Sequence, residues 1–351
     1  MGPVKAVEVL DCEDVSWFRD GPSLAAAARG AAAALARRTG LDAHRAAEVA
    51  LAVTEAATNV QRHAEDGALL LRVLRDENRA GVEFLTVDSG PGIADVAAAL
   101  ADGTSSAGTL GIGLGAVARL ADAFDVHSVP GRGTVMAAQF WNRGPGGKPV
   151  HPVPGGRTPV ASGVTRPISG ELSCGDAWAV RALDPSVLLV MMCDGLGHGP
   201  LAALASTTAV RAFHATPARD PEGVMEAVHR ALKGTRGGAV AVARIEMDTG
   251  RLSYCGIGNI SGFIIGHDAR RALLSAPGIV GAQMRRLRTF EEELPPGGAL
   301  VMHSDGLTER WDLHALPGLL QHSPAVVAGQ LLREAGVRKD DAGVVVVKNT
   351  W

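Results

Sequence analysis

A stretch crowded with glycine and proline, residues 142–169, divides this chain near its middle. Its apolar residues show no regular spacing, whereas strand-like and helix-like patterns are found on both sides. Such a composition is typical of a linker, and 351 residues are enough for two domains with separate hydrophobic cores. We therefore expect a first domain over residues 1–141, a linker over 142–167 and a second domain over 168–351.

The overall composition is that of a folded protein without a strong charge bias. Hydrophobic residues make up 46% and charged residues 20%, and the formal net charge of −3 gives no reason to expect a nucleic acid partner. The cysteines lack the spacing of a zinc or redox motif, and no apolar run is long enough to span a bilayer. The sequence predicts a cytoplasmic protein with reduced thiols and no membrane partner.

The first domain shows the pattern of two helices and two antiparallel hairpins. A possible N-cap at Asp42 starts the second helix. The predicted helices cover 23–38 and 42–63, and the predicted strands cover 69–74, 82–87, 124–129 and 134–141. Helices followed by antiparallel strands predict an α/β sandwich with one helical layer.

The second predicted helix carries a stripe of polar residues. Glu55, Asn59 and His63 follow one another at a spacing of four, which places them on one helix face. Alone, this pattern is more typical of a solvated surface. We leave His63 out of the candidate site, because a structural hydrogen bond at the helix end explains it equally well.

Two glycine-rich segments follow the polar helix. Asp88 ends a predicted strand and precedes Gly90 and Gly92. Its carboxylate can accept a hydrogen bond from the amine of adenine, and the glycines form a turn that a flat base can approach. The second segment directly precedes a predicted helix over 116–124, where unpaired N–H groups favour phosphate. Its glycines are Gly108, Gly111, Gly113 and Gly115.

The order of these motifs resembles the GHKL ATPase superfamily, and within it the small bacterial RsbT-type kinases that phosphorylate a serine of STAS-domain regulators. The resemblance covers residues 1–141 and implies that ATP binds with Mg²⁺. It implies that Asn59 holds the ion and that Asp88, supported by Thr134, binds adenine. Glu55 fits a general base that takes the proton from the substrate serine.

Aspartates follow or precede predicted strands at four places in the second domain. They are Asp176, Asp194, Asp305 and the pair Asp340-Asp341. One Asp-Gly after a strand is usually only a turn, but four such places indicate a cation site assembled from distant segments. A set of carboxylates without thiolates points to Mg²⁺ or Mn²⁺.

The motifs G-D, D-G-L-G-H-G, S-D-G-L and D-D resemble the PPM (PP2C-like) phosphatases, most closely the SpoIIE and RsbX branch. This resemblance implies an α-β-β-α sandwich that binds two metal ions. Asp194 bridges the ions and the Gly195 carbonyl binds one of them, while Asp176, Asp305 and Asp340 complete the second. A water held between such ions attacks phosphoserine.

Near these motifs, the sequence leaves the roles of Asp340, Asp341 and His198 open. The last motif reads Asp340-Asp341-Ala342-Gly343 where the family has D-D-x-T, and alignment favours Asp340 over Asp341 as the ligand. His198 fits a general acid or a brace of the Asp-Gly turn, and we favour the brace. Cys174 is not followed by the Cys-x5-Arg loop of a cysteine phosphatase, so we set that mechanism aside.

Together the resemblances imply a bifunctional regulator of a bacterial partner-switching pathway, of the stressosome or sigma-factor type. It would phosphorylate and dephosphorylate Ser or Thr of STAS-domain proteins, with a sigma factor or downstream phosphatase as further partners. The alternative is an ATP-dependent binding module, anti-sigma-like or regulatory in cis, fused to an active phosphoserine phosphatase. Glu55 favours the kinase, because binding alone needs no base.

Overall fold

The computed structural model describes residues 9–19, 21–76, 79–101, 113–143, 160–267, 269–284, 286–337 and 339–349. These residues form two compact units. The first contains the described residues between 10 and 143 together with 312–333, and the second contains those of 160–311 and 334–349. Gly108, Gly111 and residues 144–159 of the predicted linker lie outside the described residues.

The first unit confirms the predicted helix pair and both hairpins. Its helices are α1 (Leu24–Arg38), α2 (Ala43–His63), α3 (Val96–Leu100) and α4 (Gly113–Leu120). Its strands are β1 (Asp11–Arg19), β2 (Ala68–Arg75), β3 (Ala80–Val87), β4 (Ala123–Val129) and β5 (Gly133–Trp141). The helix predicted over 116–124 ends earlier, at Leu120, because β4 begins at Ala123.

Helix α2 shows why this sequence folds as a sandwich. Its N-cap Asp42 accepts a hydrogen bond from the Arg45 N–H at 2.8 Å, as predicted. Val49, Val53 and Val60 lie on the buried face. They pack with apolar residues of an antiparallel sheet whose strand order is β1-β2-β3-β5-β4. The predicted α/β sandwich is therefore confirmed.

The second unit is built mainly of strands. Its described strands are β6 (Ala161–Arg166), β7 (Asp176–Asp184), β8 (Val187–Gly195), β9 (Gly238–Glu246), β10 (Arg251–Ile257), β11 (Ser261–Ile265), β12 (Arg270–Leu273), β13 (Phe290–Glu293), β14 (Ala299–His303) and β15 (Ala342–Lys348). Helices α5 (Pro200–Ala215) and α6 (Pro221–Leu232) belong to it entirely. No helix within the described ranges is long and apolar enough to cross a membrane.

Residues 161–166 correct the prediction that the linker extends to residue 167. They form β6, in which Val164 is buried and lies opposite Val344 of β15. The segment alternates small, polar and apolar residues and ends at a proline, so its pattern alone does not separate a strand from a linker.

Two five-stranded sheets enclose one core of the second unit. Their strand orders are β13-β10-β9-β8-β7 and β12-β11-β14-β15-β6. In β8, Val190 and Met192 join the core shared with β14 and β15, whereas Met191 and Cys193 join the core under α5 and α6. A strand buried on both faces reads as one continuous apolar run. Paired sheets with helices on an outer face match the expected PPM-type fold.

Residues 312–333, here called the returning segment, belong to the first unit although they follow β14 in sequence. They include most of helix α7 (Pro324–Ala335). Asp125 of β4 accepts hydrogen bonds from the His322 ring at 2.8 Å and from the Ser323 N–H at 2.6 Å. A carboxylate at the start of a helix stabilises it. Asp125 therefore fastens the beginning of α7 to the first unit.

Candidate functional site

Asp88 lies at the end of β3 in a backbone setting that fixes its orientation. Its N–H donates to the Thr134 carbonyl at 3.0 Å, and its Oδ1 accepts from the Gly90 N–H at 2.9 Å. Burial raises the pKa of the Asp88 carboxyl, while backbone hydrogen bonds that the carboxyl accepts from Gly90 and Thr134, and the charge of Arg333, oppose that rise. The result is a half-buried carboxylate that can accept a hydrogen bond from a nucleobase amine.

The glycines beside Asp88 allow backbones to meet closely. A Cβ on Gly90 would lie 2.6 Å from the His63 carbonyl oxygen, and one on Gly92 would lie 2.3 Å from that of Val129. Gly92 also has a positive φ of 71°. These glycines therefore hold the turn after β3 against the end of α2 and against β4.

Thr134 joins the two hairpin strands near this turn. Its hydroxyl lies 2.8 Å from the Ser128 hydroxyl, which also accepts a hydrogen bond from the Ile93 N–H at 2.7 Å. Sequence reasoning missed Ser128. The predicted hairpin could have identified it, since its register places Ser128 opposite Thr134.

The polar stripe of α2 is placed as the spacing predicts. Glu55 and Asn59 are both half-buried and lie one turn apart, and α2 packs against α4. Among the described residues, neither side chain has a hydrogen-bond partner. At the start of α4, Gly115 lies so close to α3 that a Cβ would approach the Leu100 carbonyl oxygen to 2.5 Å. Gly113 begins this helix with a positive φ of 68°.

The predicted metal ligands of the second unit lie at the ends of four strands. Asp176 begins β7 and pairs directly with Asp194 in β8. Asp305 follows β14, and Asp340 precedes β15, which is the neighbour of β14. Strand pairing therefore brings residues that are far apart in sequence into two groups, Asp176 with Asp194 and Asp305 with Asp340.

Electrostatics shows that the two groups form one acidic cluster. Burial, followed by repulsion from Asp305 and Asp340, raises the pKa of Asp194 to about 7. Burial and the charge of Asp194 raise the pKa of Asp176 well above its usual value. Burial and then Asp340 raise the pKa of Asp305. Carboxyl groups that raise one another's pKa in this way lie close together.

The chemistry of this cluster fits a hard divalent cation. Carboxylate oxygens are the ligands that Mg²⁺ and Mn²⁺ prefer. Nevertheless, no group of three or more His, Cys, Asp or Glu side chains within the described residues is arranged to hold an ion. The donor set thus supports a metal, while the ligand assignments stay predictions.

Ser304 orients one of the predicted ligands. Its buried hydroxyl donates to Asp176 Oδ2 and accepts from the Gly343 N–H at 3.0 Å. A Cβ on Gly343 would lie 3.0 Å from the Asp176 Cβ and 2.4 Å from Met192. Glycine at position 343 therefore makes room for Asp176. Sequence reasoning missed this role of Ser304, although the residue stands in the S-D-G-L motif.

Asp340 and Asp341 occupy different environments. Asp341 is 3% exposed, and its two oxygens accept hydrogen bonds from the Ile168 and Gly175 N–H groups at 2.7 and 2.8 Å. Asp340 is half-buried, and its Oδ1 accepts from the Asp341 N–H. The geometry favours Asp340 as the available ligand and Asp341 as a brace between loops.

Three further side chains surround the cluster. Asn259, which sequence reasoning missed, donates to Asp305 Oδ2 at 2.7 Å. The His198 Nδ1 lies 3.3 Å from Glu171 Oε1, and the role of His198 stays a prediction. Burial, followed by the charge of Asp176, raises the pKa of Cys174 far above its usual value, so this residue is a thiol.

Two family models match the chain. Residues 18–139 match the histidine kinase-like ATPase domain, and residues 184–349 match stage II sporulation protein E (SpoIIE). The fold and the two sites thus define a GHKL-type ATP-binding domain joined to a PPM-type phosphatase domain.

Known proteins resemble each half. The serine/threonine-protein kinase RsbT of Bacillus subtilis (strain 168) is 37% identical over 97 residues, covering 28% of this chain and 73% of RsbT. The phosphoserine phosphatase RsbX of the same organism is 25% identical over 179 residues, covering 49% of this chain and 85% of RsbX. A solved structure of the bacterial stressosome, described as a modular system adapted to control secondary messenger signaling, contains a similar chain. It has 28% identity and a TM-score of 0.49, and the match covers 54% of this chain and 98% of that one.

The chain belongs to the partner-switching regulator family, with an RsbT-like kinase domain and an RsbX- and SpoIIE-like phosphatase domain.

Proposed function

We propose that this chain phosphorylates and dephosphorylates Ser or Thr of a STAS-domain protein in a bacterial partner-switching pathway. ATP with Mg²⁺ serves the first reaction, and two Mn²⁺ or Mg²⁺ ions serve the second. The acidic cluster at four strand ends supports the proposal most directly, because its carboxylates are the ligands that a hard divalent cation prefers. The likeness to a serine/threonine kinase and to a phosphoserine phosphatase supports the pairing of activities.

In the kinase half, each residue has a distinct task. Asp88 accepts the adenine amine, while the glycines of residues 108–115 offer backbone N–H groups to the phosphates. Asn59 binds the ion that accompanies the triphosphate. Glu55, one turn earlier on α2, takes the proton from the substrate hydroxyl. Because phosphoryl transfer depends mainly on positioning and charge neutralisation, one base is sufficient.

In the phosphatase half, protein groups hold and orient the ligands. Metal ions held by these ligands would supply a water activated for attack on phosphoserine. Asp194 and the Gly195 carbonyl belong to the ligand set, as do Asp176, Asp305 and Asp340. Ser304 orients Asp176 and Asn259 orients Asp305 through the hydrogen bonds described above.

A second candidate function has one observation in its favour. The first unit holds the returning segment through Asp125, and this segment comes from the sequence between two predicted metal ligands, Asp305 and Asp340. A nucleotide-binding module that regulates the phosphatase in cis would use such a contact. In this case ATP binds but its phosphate is not transferred.

An assay with the full chain separates the candidates. Purified STAS-domain proteins are incubated with labelled ATP and Mg²⁺, and their serine-phosphorylated forms are incubated separately with Mn²⁺. We expect label transfer in the first reaction and phosphate release, abolished by EDTA, in the second. ATP binding without transfer to any protein favours the regulatory module. Phosphate release that is unaffected by EDTA contradicts the metal-dependent phosphatase.

A further inference from the structure

Exposed leucines lie in and near the loop that follows Asp194. Leu172 is 100% exposed, Leu196 is 40%, Leu201 is 54% and Leu204 is 50%. They are four of the seven large hydrophobic side chains exposed within the described residues. We call these four residues the leucine patch.

Three of the four leucines are close in sequence, and the fourth adjoins a residue that contacts the same loop. Leu196 lies in the loop between β8 and α5, and Leu201 and Leu204 lie three residues apart at the start of α5, hence on one helix face. Leu172 directly follows Glu171, whose carboxylate contacts His198 in the same loop at 3.3 Å. A Cβ on Gly199 would also lie within 3.5 Å of Glu171.

Folding does not require leucine at these positions. Helix α5 turns small residues such as Ala202, Ala205 and Ala209 towards the core and exposes the larger Leu201 and Leu204. This reverses the usual distribution on a surface helix. The sequence from 195 to 210 contains no Asp, Glu, Lys or Arg. Large apolar side chains exposed together at one loop and helix start indicate an interaction site.

The position of the patch identifies its occupant. Asp194 lies two residues before Leu196, and the side chain of a phosphoserine is short. A phosphoserine that reaches Asp194 therefore brings the surface of its own protein over Leu196 and the start of α5. We propose that the leucine patch binds an apolar surface of the folded protein that presents the phosphoserine. This inference rests on the proposed phosphatase function, and it predicts that the enzyme prefers a folded protein to a small phosphate ester.

The double variant Leu201→Glu/Leu204→Glu of the full chain tests the inference. Leu274→Glu is the matched control, because Leu274 is 65% exposed and lies outside α5 and the two loops. Three substrates are compared with Mn²⁺: p-nitrophenyl phosphate, a phosphoserine peptide, and a folded serine-phosphorylated STAS-domain protein with the same phosphosite sequence as the peptide. We expect kcat/KM for the folded protein to fall by about tenfold or more in the double variant, mainly through KM. Hydrolysis of p-nitrophenyl phosphate stays at the wild-type rate, and the control keeps all three activities.

Four outcomes overturn the inference. An unchanged rate on the folded protein shows that the patch does not bind it. An equal loss on all three substrates shows that the leucines support the active site instead. A wild-type dimer that dissociates in the double variant, with activity on the folded protein retained, assigns the patch to a second copy of the chain. A wild-type chain inactive on p-nitrophenyl phosphate and on both phosphoserine substrates refutes the proposed phosphatase function, and this inference with it.

Discussion

The side-chain hydroxyl of Ser304 donates a hydrogen bond to the buried carboxyl of Asp176, and the same hydroxyl accepts one from the Gly343 N–H. The phosphatase family has a threonine at the position of Gly343. In this chain the last motif carries no hydroxyl there, yet Asp176 is held by a hydroxyl from the neighbouring strand end. Asp176 therefore has a hydrogen-bond donor, although this chain departs from the D-D-x-T motif.

Ser304→Ala should lower both stability and metal affinity. The substitution removes the hydroxyl donor to a carboxyl that is 4% exposed, which costs about 1–3 kcal/mol of unfolding free energy. Urea denaturation and a Mn²⁺ titration measure the two effects. Ser253→Ala is the control, because its hydroxyl donates to the exposed Glu291. Equal stability of the two variants would show that the bond to Asp176 contributes nothing.

Gly343→Thr, which restores the family residue, should damage this protein rather than improve it. The new Cβ would lie 2.4 Å from Met192 and 3.0 Å from the Asp176 Cβ, so a buried side chain must move. We expect a loss of about 1–3 kcal/mol in unfolding free energy and lower phosphatase activity. Gly30→Thr is the control, since a Cβ there meets nothing within 4 Å. A Gly343→Thr protein as stable and active as the wild type contradicts the steric argument.

Asp88→Asn should weaken nucleotide binding while the fold is retained. The carboxylate is predicted to accept the adenine amine, and an amide presents one acceptor fewer, at a cost of about 1–3 kcal/mol of binding free energy. Isothermal titration calorimetry with ATP and Mg²⁺ measures the change. Asp95→Asn is a suitable control, because Asp95 only caps α3 through the Ala98 N–H. Unchanged ATP affinity in Asp88→Asn removes Asp88 from the nucleotide site.

The contact of Asp125 with the returning segment should make stability depend on pH in the acidic range. Burial alone raises the pKa of this carboxyl, but hydrogen bonds from His322 and Ser323 lower it below the ordinary 3.8. A carboxyl with a lowered folded pKa adds stability above pH 3.8, and that stability is lost as the pH falls through the folded pKa. Asp125→Asn should therefore cost stability at neutral pH, and the difference from wild type should shrink in acid. Urea titrations over this range measure the difference; a gap that widens in acid contradicts the assignment.

Local patterns predicted much of the fold. The period of α2, its cap at Asp42 and the hairpin of β4 and β5 are local signals, and each element formed as predicted. The same patterns predicted that Asp176 and Asp194 lie at strand ends, and the pairing of β7 with β8 places them opposite each other. Motif order then indicated which ends belong to one site.

Other features depend on contacts between residues distant in sequence. Residues 312–333 belong to the first unit through a cap from Asp125, which is nearly two hundred residues earlier in the chain. Strand β6 is defined by its pairing with β15 rather than by its own composition. The role of Ser304 likewise requires knowing that β14 and β15 are neighbours. No local sequence pattern predicts these pairings.

The central claim is that one chain adds phosphate to a STAS-domain protein and removes it again. The most direct measurement follows labelled phosphate from ATP onto a purified STAS-domain protein with wild type, Asp194→Asn, Glu55→Ala and the control Cys174→Ser, all as full chains. Asp194→Asn should accumulate labelled phosphoserine, because it transfers phosphate but cannot remove it. Wild type and Cys174→Ser should show little label and steady release of phosphate, and Glu55→Ala should bind ATP without transferring label. Equal labelling by wild type and Asp194→Asn, or no labelling by any variant, contradicts the claim.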